Sequence, residues 1–220
     1  MQNLIITTPV RPGNATEHAL GVLRGAIQEG RFAPGQRLIE ADLMQTFTVT
    51  RGPLREALRR LASEGVVDIV PNRGAMVRIF NRQEMIDLFR IREVIEGLAA
   101  RQAAEAMADE RCRIKFEAAL EKMDRARSVS AVPFSKENVI FHELVLTYAR
   151  NKQLTGLMRQ LQLPLVRFQI RASIDDAYRE ASRREHQAVV QAVSKGNAAQ
   201  AESLMRKHLR QAADRVIARL

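Results

Sequence analysis

Three histidines in the second half of the chain have a spacing that favours one shared site. His186 and His208 each lie eleven positions from Asn197, on opposite sides of a Gly-Asn turn. If that turn joins two antiparallel helices, residues equidistant from it lie at the same height, so the two imidazoles face each other. A third imidazole, from His142, completes a set of three nitrogen ligands for a divalent metal ion, and Asn138 lies one helical turn before it. The alternative is that each histidine is an ordinary hydrogen-bonded side chain.

Three histidines around an ion also occur in hydrolytic zinc enzymes, where water occupies the open coordination position. The sequence has no HExxH pair, no nucleophile elbow and no glycine-rich phosphate loop. A metal-dependent enzyme is therefore the less favoured alternative, and we expect a protein that is not an enzyme.

A second candidate site consists of arginines in the first third of the chain. Arg51, Arg55 and Arg59 recur every four residues, which places three guanidinium groups along one face of a helix. Apolar residues on the opposite face are expected to pack inward: Leu54, Ala57, Leu58 and Leu61. A helix of this kind fits the major groove of DNA, where arginine pairs with guanine through two hydrogen bonds. The alternative is a solvated basic face.

Residues near this helix add two expectations. Thr50 is the predicted N-cap, and the first backbone N–H groups of the helix suit a phosphate contact. Arg73 and Gly74 lie in a turn between two β-branched segments, which places a cation where it can enter a minor groove.

The composition agrees with an anionic partner. The 220 residues carry a formal net charge of +10 and the isoelectric point is near 10.7, which is typical of nucleic-acid binding, although charge can also report solubility alone. A single cysteine excludes an intrachain disulfide. We find no signal peptide and no apolar run of membrane-spanning length, so we expect a cytoplasmic protein.

These residues must be positioned by two different kinds of structure. Residues 1–13 are expected to be a flexible arm. Residues 14–80 show a helix to about Gly30, short helices near 40–46 and 51–64, and a hairpin formed by 66–70 and 75–80, which is the pattern of a winged helix-turn-helix. Residues 81–220 show six helical segments, near 82–107, 110–128, 134–150, 152–171, 178–195 and 198–219. The predicted fold is therefore mainly α, a winged helix-turn-helix followed by an all-α bundle.

The first part of the chain resembles the winged helix of the GntR family of regulators. The segments that carry the resemblance are Pro34–Glu40, Val49–Leu58, Leu61–Gly65 and Pro71–Gly74. The resemblance implies that Arg51 and Arg55 contact operator DNA, with contributions from Thr50, Arg73 and Gly74. Some members carry an arginine in the preceding helix where this chain has Ala41, so no contact is expected from that position.

The second part resembles the FCD ligand-binding domain of the FadR subfamily, in its six-helix, VanR-like form. The segments that carry the resemblance are Asp87–Glu96, Phe141-His142, Glu185-His186 and Gly196 through His208. The resemblance implies a zinc or nickel-like ion held by Asn138, His142, His186 and His208. The family usually has aspartate at the first position, and a neutral amide oxygen is a weaker ligand for a dication.

A homodimer is expected, because one winged helix contacts few bases and a two-fold protein reads a palindromic operator. The leading hypothesis adds a small carboxylate effector. The effector is expected at the same four residues as the metal and at Arg92, which matches a recurrent arginine and either contacts the effector or pairs with Glu96. One alternative stays open at this point: a metal-free pocket for a larger ligand such as an acyl-CoA. Repression and activation are not distinguished by the sequence.

Overall fold

The computed structural model describes residues 12–129, 134–161, 166, 169–170 and 174–219. The chain divides into two compact units, with the boundary between Ile79 and Phe80. Of the expected flexible arm, residues 1–11 lie outside the described residues, and residues 12 and 13 are helical.

From residue 12 onward, the N-terminal unit has three helices and a small sheet. Its elements are α1 (Pro12–Gln28), β1 (Arg37–Leu38), α2 (Glu40–Phe47), α3 (Arg51–Ser63), β2 (Val67–Val70) and β3 (Gly74–Val77). The strands are antiparallel in the order β1-β3-β2, with Leu38 opposite Ala75 and Val67 opposite Val77. The winged helix-turn-helix that the sequence predicts is therefore confirmed.

Three local predictions for this unit need correction. The first helix begins at Pro12 rather than after it, because proline has no N–H to lose and its fixed φ suits the first helical position. Strand β3 ends at Val77, not at residue 80. The sequence analysis missed β1, because a strand of two residues is too short to show an alternating pattern.

Helix α3 is held by its buried inner face and is ended by a glycine. Its inner face is buried, with Leu54, Ala57 and Leu61 at 0% exposure. Glu64 is the C-cap residue, and Gly65 follows at φ +71°, a left-handed conformation that glycine adopts without a steric penalty. The helix therefore ends where the sequence predicts.

The C-terminal unit consists of helices joined by short turns in its described residues. Its elements are α4 (Arg82–Glu105), a 3₁₀ turn (Ala106–Ala108), α5 (Glu110–Val129), α6 (Phe134–Tyr148), α7 (Lys152–Gln160), α8 (Asp176–Ser194) and α9 (Ala198–Ile217). The predicted helix over 152–171 is too long, since α7 ends at Gln160 and Leu161 is in a turn. None of the helices in the described ranges has both the length and the apolar composition that crossing a membrane requires.

Helices α8 and α9 form the predicted hairpin. Gly196 turns the chain at φ +69°, and Asn197 caps α9 by accepting a hydrogen bond from the backbone N–H of Gln200. Helix α4 packs closely against α9, and a Cβ added to Gly97 would lie 2.7 Å from Cγ of Arg206. The large side chains of this core include Met85, Phe116, Phe141, Met205 and Leu209.

Candidate functional site

Three histidines from three helices converge in the core of the C-terminal unit. His142 lies on α6, His186 on α8 and His208 on α9, and all three are buried. One ring nitrogen from each lies within 4.8 Å of the others, an arrangement that can hold a metal ion. The convergence agrees with the geometry that the sequence predicts for the hairpin.

The two hairpin histidines have a separation that suits a common ion. Nε2 of His186 lies 3.3 Å from Nε2 of His208. Two nitrogens bound tetrahedrally to one zinc ion at about 2.0–2.1 Å lie about 3.3 Å apart. The ring of Phe141 stacks on His186 with centroids 3.8 Å apart, which holds that imidazole in its plane.

Two of the three imidazoles contact a carboxylate through their other nitrogen. Nδ1 of His208 lies 2.7 Å from Oε2 of Glu185, and Nδ1 of His142 is in contact with Oε2 of Glu96. A carboxylate at Nδ1 accepts its proton, so that Nε2 carries the lone pair that a metal needs. Histidines that bind metals are commonly oriented in this way.

Each of these carboxylates is in turn held by an arginine. Nε of Arg92 donates to Oε1 of Glu96 at 2.8 Å, and Nη2 of Arg215 donates to both oxygens of Glu185 at 2.8 Å. Pairing of Arg92 with Glu96 was one of the two arrangements left open by the sequence. The two arginine charges balance the two glutamate charges.

Burial keeps the imidazole of His142 uncharged. It lowers the pKa of His142 to about 4, even though the carboxylate of Glu96 acts in the opposite direction. Burial alone would raise the pKa of Glu96, but Arg92 and His142 outweigh it and the pKa is lowered. At neutral pH the pair is a neutral imidazole and an ionised carboxylate, which is the state that a metal ligand requires.

A cavity of about 160 Å³ adjoins the histidines. His186 and Phe141 form part of its wall. The rest of the lining combines apolar and polar side chains: Leu120, Met123, Asp124, Glu137, Gln187 and Val190. The buried Glu137 is also ion-paired to Arg183 at 3.0 Å. Asn138 lies on α6, half-buried, one turn before His142.

The arginines of α3 form an exposed face, as their spacing predicts. The side chains of Arg51, Arg55 and Arg59 are 68%, 55% and 71% exposed. Nε of Arg55 lies 3.0 Å from both carboxylate oxygens of Glu40, and Nε of Arg51 lies 4.0 Å from the same group. The sequence analysis did not identify Glu40, because its partners lie on a different helix.

The remaining predicted DNA contacts lie at the N-terminal end of α3 and at the hairpin turn between β2 and β3. Thr50 is the exposed N-cap residue of α3. Arg73 is exposed in the turn between β2 and β3, next to Gly74 at φ +79°. Asn72, at φ +62°, completes the reversal of the chain.

Two family descriptions match the chain. Residues 15–77 match bacterial regulatory proteins of the gntR family, and residues 87–211, more than half of the chain, match the FCD domain. Both resemblances noted in the sequence are therefore confirmed.

Several curated proteins are similar in sequence. The HTH-type transcriptional regulator YdhC of Bacillus subtilis is 26% identical over 178 residues, which are 80% of this chain and 79% of that protein. The Nta operon transcriptional regulator of Aminobacter aminovorans is 26% identical over 130 residues, 59% of this chain and 61% of its own. The HTH-type transcriptional repressor RspR of Escherichia coli is 38% identical over 69 residues, 31% and 29% of the two chains.

Solved structures show the same fold. A GntR transcriptional regulator from Rhodococcus sp. RHA1 matches with a TM-score of 0.73 at 24% identity, covering 93% of this chain and 98% of that one. McbR/YncC of Escherichia coli matches with a TM-score of 0.68 at 19% identity and the same coverage of both chains. At these identities the likeness supports the architecture and nothing finer.

Proposed function

The chain belongs to the GntR family of transcriptional regulators and has an FCD domain, and from this premise we propose that a small organic acid, bound at a metal ion in the FCD domain, controls its affinity for operator DNA. The observation that carries the proposal is the convergence of three buried imidazoles, two of which are oriented by carboxylates. Burying these polar side chains, even when they are paired, stabilises a core no better than apolar packing would. Their presence therefore favours a functional role.

The donor set fits a borderline metal ion such as zinc or nickel. His142, His186 and His208 would supply three nitrogen ligands, and Asn138 or water the remaining one. A bound ion would supply a positive charge and an open position for an oxygen ligand. Glu96 and Glu185 would orient two of the imidazoles through their Nδ1 atoms.

Charge balance favours an anionic ligand. The glutamates near the histidines are already neutralised by Arg92 and Arg215, and Asn138 contributes no charge. A dication bound to three neutral imidazoles would keep its charge, and a carboxylate ligand would neutralise part of it. Direct contact between Arg92 and this ligand stays a prediction, because its Nε is engaged by Glu96.

The size of the cavity favours a small ligand. About 160 Å³ beside His186 lies below the range of about 300–1,000 Å³ that drug-sized ligands occupy. Among the described residues, this cavity has room for a short organic acid.

We assign DNA binding to the exposed face of α3. Arg51, Arg55 and Arg59 would enter the major groove, Thr50 would contact a phosphate, and Arg73 with Gly74 would lie at the minor groove. The support is the exposure of these arginines on one face of a helix whose opposite face is buried.

A homodimer completes the proposal, since a two-fold protein matches a palindromic operator. Helix α4 offers a surface for it. Ile91, Val94 and Leu98 follow a three- and four-residue spacing and are 48%, 53% and 37% exposed. Exposed apolar residues that line up along one helix are typical of a helix–helix interface.

Metal and ligand titrations test the proposal. The purified protein is stripped with a chelator, and its affinity for a duplex selected in vitro from a randomised pool is measured before and after zinc or nickel is added. A panel of small carboxylic acids is then titrated with and without the metal. We expect one ion per chain, no ion in the triple variant His142→Ala/His186→Ala/His208→Ala, and an acid that changes DNA affinity only when the metal is present. An acid that acts equally without metal would support the metal-free alternative.

A further inference from the structure

Glu40 occupies an unusual place for an acidic residue beside a DNA-binding face. It is the first residue of α2, and its carboxylate reaches across to two arginines of α3. A negative charge at this place repels phosphate, so it weakens every non-specific contact with DNA. Its presence calls for a compensating role.

The geometry of the Arg55 contact suggests that role. Nε of Arg55 lies 3.0 Å from both oxygens of Glu40, and among the described residues Glu40 is the hydrogen-bond partner of this guanidinium. The bond uses the Nε–H, so the two terminal nitrogens of Arg55 keep their protons for another partner. These two nitrogens can supply both hydrogen bonds of a bidentate contact with O6 and N7 of guanine.

The flexibility of arginine makes such a restraint useful. A side chain that is 55% exposed samples many rotamers, and binding must order it. A carboxylate at Nε fixes the plane of the guanidinium before DNA arrives. Arg51, at 4.0 Å from the same carboxylate, experiences its charge but lies beyond hydrogen-bonding distance.

From these contacts, and resting on the proposed DNA-binding function, we propose that Glu40 is a positioning residue for sequence recognition: it holds Arg55 in the orientation that reads one base pair of each half-site, and it lowers affinity for DNA of any other sequence. Glu40 itself touches no base. Its effect on operator recognition passes through Arg55.

The test uses the full-length protein and two duplexes, one selected in vitro by the wild-type protein from a randomised pool and one of the same length with scrambled sequence. The preference is the ratio of the two affinities. We expect Glu40→Gln to lower the preference about tenfold, within the range of discrimination that one bidentate base contact supplies. Affinity for the scrambled duplex should stay the same or rise. The matched control is Asp42→Asn, which removes the same charge from the same turn of α2 and should leave the preference unchanged.

A thermodynamic cycle separates positioning from a general effect. In an Arg55→Ala background, Glu40→Gln should have no further effect on the preference, because the residue through which it acts is gone. Selection repeated with the Glu40→Gln protein should return duplexes with relaxed base identity at one position in each half-site.

Three outcomes would overturn the inference, and they are distinguishable. If Arg55→Ala lowers the preference but Glu40→Gln does not, the positioning role is wrong and the DNA-binding face stands. If Glu40→Gln lowers the preference equally with and without Arg55, its effect does not pass through Arg55. If Arg55→Ala itself leaves the preference unchanged, the assignment of α3 as the DNA-reading helix fails together with the inference.

Discussion

At the scale of single residues, the chemistry of the histidine cluster depends on what each imidazole contacts on its far side. Glu185 and Glu96 engage Nδ1 of His208 and His142 and leave Nε2 directed toward the cluster. Arg215 and Arg92 hold those carboxylates in place. The metal affinity of such a site depends on these outer partners as well as on the ligands themselves.

Substitution of Glu185 tests this dependence. We expect Glu185→Gln to weaken zinc binding about 10- to 100-fold, because the neutral amide no longer raises the basicity of His208 or fixes its tautomer. The measurement is competition with a chromophoric chelator at fixed pH. Glu180→Gln is the matched control, since Glu180 lies on the same helix and pairs only with the exposed Arg184 among the described residues. Equal affinity in both variants would show that Glu185 has a purely structural role.

The histidine site was predictable in part. Equal spacing of His186 and His208 about the turn at Asn197 gave the convergence, because a helical hairpin has regular geometry. The pairing of Glu96 with His142 and of Glu185 with His208 joins side chains of different helices, and such contacts leave no period in the sequence. The Glu185-His186 dipeptide is apparent in the sequence, but the carboxylate of Glu185 contacts His208 and not the neighbouring His186.

At the scale of elements, the side chain of Arg206 on α9 lies directly over Gly97 on α4. A Cβ at Gly97 would lie 2.7 Å from Cγ and 3.0 Å from Nε of Arg206. A side chain at position 97 would therefore displace Arg206 from its present place. Glycine in a helix interior costs about 1 kcal/mol relative to alanine. In the middle of α4 this cost is offset by the packing of Arg206 over Gly97.

Two alanine substitutions separate these effects. Gly156→Ala on α7 should stabilise the protein by about 0.5–1 kcal/mol, because no other described part of the chain lies within 4 Å of the new methyl group. Gly97→Ala should lose that gain and destabilise the protein by about 1–3 kcal/mol, because Arg206 must move. Urea denaturation measures both free energies of unfolding. If the two variants were equally stabilised, Arg206 would be able to give way without cost.

Helix ends show where sequence reasoning at this scale succeeds. Gly65 and Gly196 mark the ends of α3 and α8, because positive φ is required there and glycine supplies it. Pro12 misled the prediction, since proline breaks a helix in its interior but suits its first position. Helix ends that depend on the conformational preference of one residue were predictable. Strand β1 was not, because a two-residue strand is defined by its pairing with β3.

At the scale of the whole molecule, the proposed recognition of DNA requires a homodimer. On that proposal, the apolar residues exposed along α4 form the seam of the homodimer, and both copies bind the operator together. A charge placed in that seam would be desolvated without a partner.

Substitution of Ile91 tests the seam. We expect Ile91→Glu to raise the dissociation constant of the dimer at least about tenfold, because a carboxylate in an apolar interface costs several kcal/mol. Sedimentation velocity over a concentration series measures it, and operator affinity should fall in parallel. Ile114→Glu on α5 is the control, since Ile114 is 57% exposed and Ile91 is 48% exposed. A dimer that survives Ile91→Glu but not Ile114→Glu would place the interface on α5.

His186 belongs both to the histidine cluster and to the wall of the cavity. On the proposed function, His186 would bind the metal ion and also line the pocket of the organic acid. Binding of either one would therefore affect binding of the other. Such a regulator would respond to the organic acid only in a cell whose supply of the metal ion is sufficient. Metal starvation would then have the same effect on transcription as loss of the organic acid.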